Sequence, residues 1–246
     1  MGFLYKLFYK RIMKKAEKAN TALTQELFEK MNTNEDVRKN CAEELMGIVR
    51  PLINIALIEH KEKTCNAISI IIDTGGKCAI TINGSGIDGN ILKTTPLSVF
   101  ETINSESGEE FVGNFLMKKE AVSEPFSESA NEEESDDIFD ETTIIGNLKS
   151  AILHCDYFEI ISEFQKQKYI KKYIFKFDLP KFKSCGKTEK SGLTIIFNSN
   201  LLKNYTFGFD EISSYSEQIA QQNFGMKINI DDKRNNRQAQ YVFTMI

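Results

Sequence analysis

Apolar and polar positions alternate with two different periods along the chain. Ala67–Ile72 and Cys78–Ile82 are short, β-branched runs separated by Asp73-Thr74-Gly75-Gly76. Such runs around a Gly-rich turn predict a β-hairpin. Further strands are predicted at 157–164, 168–178, 193–198, 226–231 and 240–245. A period near 3.6 marks helices at 3–18, 21–31, 35–60, 97–103, 143–155 and 210–222. Pro51 falls inside the third of these. Proline removes a hydrogen bond and clashes with the preceding turn, so a break is expected there. Helices beside a mostly antiparallel sheet make an α+β two-layer sandwich.

Charge is distributed unevenly. Residues 1–20 carry Lys6, Lys10, Arg11, Lys14, Lys15 and Lys18 against Glu17, interleaved with Phe3, Leu4, Leu7, Phe8, Ile12 and Met13. This is a basic amphipathic helix, suited to an anionic membrane surface through residues 1–18 or to packing on the body of the protein. Position 6 is Lys6 where a myristoylation signal after Gly2 requires Ser or Thr. Residues 120–141 hold ten acids and no base, which predicts an acidic loop at about 118–142 without a packed core of its own. Residues 166–190 hold nine lysines against Asp178 and Glu189, on a strand expected to turn its lysines outward. The organisation expected is a helical extension over 1–34 followed by one domain over 35–246.

Composition narrows the chemistry. A net charge of −4 over 246 residues disfavours nucleic acid as the partner. Two histidines leave little for a His-based metal site or triad. Five cysteines with no CxxC pair read as free thiols in a reducing, cytoplasmic setting. No apolar run approaches the length of a membrane span.

The segment CNAISIIIDTGGKCAITINGSGIDGNILKTTPLSVFET, from Cys65 to Thr102, resembles without gaps part of the ATPase subunits of DNA gyrase B and topoisomerase IV. There, the family carries a strand hairpin, an Asp-Asn-Gly-Arg-Gly-Ile loop and a Ser-Ala-Val-Glu-Thr helix start. GKTEKSGLTIIF (186–197) is similar to the family's segment around Thr-Gly-Thr. Phe209–Ile219 and FGMKINIDDKR (224–234) are similar to its last helix and strand. The resemblance covers roughly 37–246 and implies a GHKL (Bergerat) fold, named for gyrase, Hsp90, histidine kinase and MutL.

The resemblance also says which functional groups to look for, and most are replaced. The family's general base, a Glu that activates water, aligns with Pro51. Its magnesium-binding Asn aligns with Ile55, with Asn54 one residue away; an alignment with an insertion gives Gly47 and Pro51 instead. Glu59 matches an acid that partners an Arg of the Gly-rich loop, and that Arg is replaced by Ser85. The adenine-reading Asp aligns with Ile82, while Asn83, Gly84 and Gly86 keep the loop. The Thr that supports that Asp aligns with Leu193, and Thr194 should face the other side of its strand. Of the lid glycines only Gly146 remains, with Lys149 nearby. Ile55, Ile82 and Leu193 would converge as core at the former adenine site.

The expectation is therefore a degenerate domain that no longer hydrolyses ATP and serves as a binding or regulatory module, with no cofactor. Its partner would be a protein, either a gyrase-type subunit or a second copy. The competing expectation is a divergent, active ATPase of the type II topoisomerase class, which would need ATP and magnesium.

Overall fold

The structure is a computed structural model that describes residues 22–23, 25–97, 141–155, 157–174 and 180–244. The expected helices over 3–18 and 97–103, apart from Leu97, and the acidic loop as far as residue 140 lie outside these residues, while the loop's last expected positions, Glu141 and Thr142, are helical. Leu97 itself is buried and not helical.

A helix over 25–33 (α1) leads into the 27-residue helix Glu35–Lys61 (α2). Asn34 starts α2, its side chain accepting the Val37 N–H at 3.1 Å. Strands Ala67–Ile72 (β1) and Lys77–Ile82 (β2) follow, then the short helix Gly89–Thr94 (α3). After Glu141–Ile152 (α4) come Tyr157–Phe164 (β3), Gln167–Ile174 (β4), Lys181–Lys187 (β5) and Gly192–Asn198 (β6). The chain closes with Phe209–Gln222 (α5), Lys227–Asp232 (β7) and Arg237–Val242 (β8).

The strands form one eight-stranded sheet in the order β5-β4-β3-β6-β2-β1-β7-β8. Every neighbouring pair is antiparallel except β1 with β7. The class is α+β, in agreement with the sequence pattern.

Register explains the layering. Ile68 lies opposite Ile82, Ile70 opposite Ile80, and Ile80 in turn opposite Ile195. These residues are fully buried, while their neighbours Ser69, Ile71, Thr81 and Thr194 face the other side and are half-buried or exposed. The buried rows share one core with α2, α4 and α5. Met31 of α1 belongs to the same core.

Two expectations need correction, and one strand lies where none is expected. α2 is not broken at Pro51. Ile48, Val49, Leu52 and Ile53 on both sides of it are fully buried. Burying each contributes about 1.5–3 kcal/mol, which together exceeds the roughly 3 kcal/mol penalty of an interior proline. Of the strand expected at 168–178, residues 175–178 lie outside the described residues, and the described part, within β4, does not turn all its lysines outward: Lys171 is buried, its Nζ donating to the Thr95 carbonyl at 2.9 Å and lying 5.7 Å from the Tyr173 ring centre. Strand β5 was not expected at all, because KFKSCGK shows no apolar alternation.

Candidate functional site

The site is the region where α2 ends, β2 leaves the sheet and the loop Asn83–Asp88 crosses β3 and β6. Apolar packing fills its floor. Ile82 and Leu193 are directly opposed between β2 and β6. Both are buried, as is Ile55 on α2, and all three belong to the common core. Neither hydrogen bonds nor metal coordination is open to such side chains.

Polar neighbours of these positions point elsewhere. Asn54 is exposed while Ile55 is buried, since one helix step turns a side chain by about 100°. Asn54 thus does not replace a ligand at position 55. Thr194 lies on the open face of the sheet, its hydroxyl 3.2 Å from that of Thr81. Pro51 is half-buried. Of the acids along α2, Glu43 pairs with Arg50 at 3.0 Å.

The loop is held by its own chain. Asn83 Oδ1 accepts from the backbone N–H of Asn66 (3.1 Å) and Ala67 (2.7 Å), and its Nδ2 donates to Asn66 Oδ1 at 2.7 Å. Its side chain therefore fastens the start of β1. The Ser85 N–H donates to Glu59 Oε1 at 3.1 Å. The Ser162 hydroxyl donates to the Ile87 carbonyl and accepts the Ile87 N–H, both at 2.7 Å. Sequence reasoning passed over Ser162, although its inward place after Phe158 and Ile160 on β3 is a usable signal.

The glycines have equally local reasons. A Cβ on Gly84 would lie 1.4 Å from Glu59 Oε2. Gly86 has φ +78° and abuts the carbonyls of Glu163 and Gly192. These glycines let the loop pack on Glu59 and on the sheet end. Gly146 differs: it lies exposed within α4, and a Cβ there would meet nothing within 4 Å. It is an ordinary helical position, not a lid turn, and Lys149 further along α4 is exposed. Replacing Gly146 with Ala should stabilise the fold by about 0.5–1 kcal/mol, because glycine loses more entropy in a helix. Urea denaturation would register this as a raised midpoint; an unchanged or lower midpoint would contradict it.

Among the described residues, Glu59 is the carboxylate buried beneath the loop, and its Oε2 has no hydrogen-bond partner. Burial pushes its carboxyl above the ordinary value, opposed by the amides of Ser85 and Gly86. The folded state then keeps the proton to higher pH than the unfolded state. Stability from this group is fully present below the unfolded carboxylate range, about pH 4.3, and is lost as pH rises through the folded value. Glu59→Gln cannot ionise and should gain on the wild type as pH rises from the unfolded carboxylate range, about pH 4.3, through the raised folded value. Denaturation midpoints of both proteins across that range measure the gap, which must widen with pH.

All five cysteines are in the thiol form, outside any disulfide. Burial pushes Cys65 up to about 11 and Cys78 up to about 12, so neither is a nucleophile near neutrality. Among the described residues no group of three or more His, Cys, Asp or Glu could hold a metal ion. Within the same residues no helix is long and apolar enough to cross a membrane.

No family model and no curated protein matches the chain.

Proposed function

We propose that this chain is a gyrase-B-like GHKL domain that keeps the fold and has given up ATP hydrolysis, acting instead as a binding or regulatory module. The observation that carries it is the apolar floor: Ile55, Ile82 and Leu193 are buried in the core where the resemblance calls for a magnesium ligand, an adenine reader and its supporting hydroxyl. Supporting it, Pro51 stands at the position of the base and offers no lone pair to a water. Glu59, which in the family faces an Arg, accepts a backbone N–H in this chain. A site that loses the polar groups reading a base loses most of its discrimination. The partner is a protein, either a gyrase-type subunit or a second copy, in the cytoplasm.

Calorimetric titration of the folded protein with ATP and magnesium tests this. No binding tighter than about 100 μM, roughly −5.5 kcal/mol, is the expected result. Tighter binding would overturn the proposal and make hydrolysis the next assay.

A further inference from the structure

The two edges of the sheet differ in how they are protected. β5 carries Lys181, Lys183 and Lys187, and its pairing with β4 shifts register at Lys168/Tyr169. Edge lysines and register irregularities are the usual devices against strand addition. β8, Arg237–Val242, carries no lysine, proline or irregularity, and pairs with β7 in unbroken register.

The ladder fixes which β8 groups face away from β7. The N–H groups of Lys227 and Lys233 donate toward β1, to Asn66 and Ile72. Alternation then turns Ile228, Ile230 and Asp232 toward β8, where they meet Tyr241, Ala239 and Arg237. The N–H and C=O groups of Gln238, Gln240 and Val242 therefore point outward from the sheet. These three residues are exposed, and among the described residues no strand lies on their outer side. The charge of Arg237 is held by its own chain, its guanidinium 2.5 Å from Asp210 and 4.1 Å from the Phe209 ring centre.

We infer that β8 is a self-association edge, on which a second copy of this chain adds antiparallel about a two-fold axis at Gln240. In that register Gln240 faces Gln240 of the second copy, and Gln238 faces its Val242. Three outward donors and three acceptors on each copy are satisfied, with no charge opposed to a like charge. Isologous pairing closes at a dimer. Addition of β8 to the guarded β5 edge would instead propagate a filament. One six-residue strand is a small interface, so the dimer is weak, with a dissociation constant of about 10–500 μM. The inference rests on the sheet edge and is independent of the nucleotide site.

Sedimentation velocity over about 5–500 μM tests it. The wild type should shift from monomer to dimer. Gln240→Pro removes an outward N–H without touching the β7–β8 ladder, and should weaken the dimer at least about tenfold. Gln240→Lys sets two ammonium groups face to face, and should weaken it similarly at low salt, with recovery as salt rises. Circular dichroism confirms that each variant is folded. A wild type that stays monomeric throughout, or variants that dimerise as well as the wild type, would overturn the inference.

Discussion

Replacing Arg234 with methionine should lower the stability of this protein by about 3–5 kcal/mol, enough to unfold much of it at moderate urea concentration. The Arg234 and Asp232 side chains are completely buried. Arg234 Nε and Nη2 each donate to the Asp232 carboxylate at 2.7 Å, in a bidentate pair. The remaining donors reach the carbonyls of Leu202 (2.6 Å), Asn204 (3.0 Å) and Phe207 (3.0 Å). One guanidinium thus joins the end of β7 to the turn before α5. Methionine fills similar space but leaves a buried carboxylate without its cation and strips a donor from those carbonyls. Replacing Asp232 with leucine in the same molecule should restore only part of the loss, since the carbonyls stay unserved. Urea denaturation of the wild type, single variant and double variant decides this. A single variant within about 1 kcal/mol of wild type would show that the clasp does not hold the fold together.

Gly192→Ala should cost about 3 kcal/mol or more. Gly192 has φ +130°, which residues with a side chain scarcely adopt, and a Cβ there would lie 2.4 Å from the Ile82 carbonyl oxygen. That oxygen sits at the end of β2, directly opposite the start of β6, and backbone in a paired ladder has little room to yield. Alanine combines strain with a clash, whereas at Gly146 it meets neither. The pair of substitutions therefore separates two meanings of glycine in one protein. A loss of stability at 192 alongside a gain at 146 is the expected outcome of thermal or urea denaturation. Equal, small effects at both positions would contradict so close an approach of β6 to the end of β2.

Much of the sheet was legible from short stretches of sequence. β1, β2, β3 and β6 announce themselves by alternating apolar residues, and α5 by its helical period, because burial on one face imposes a period within a few residues. β5 was invisible for the same reason run backwards. With most of its residues exposed, KFKSCGK had no apolar face to write into the sequence. Pro51 misled because local propensity said break, while the side chains on either side were buried strongly enough to keep α2 whole.

The sequence alone determined the α+β class, the hairpin of β1 and β2, and the apolar character of positions 55, 82 and 193. These depend on residue type and near-neighbour spacing. Only the tertiary structure decided what the polar residues and glycines are for. Arg234 reaches a carbonyl 32 residues back, Glu59 meets an amide 26 residues on, and Ser162 bonds a residue 75 positions away. Such pairings are fixed by how the strands and helices stack. A single directional contact between distant residues leaves no periodic trace in the chain from which it could be read.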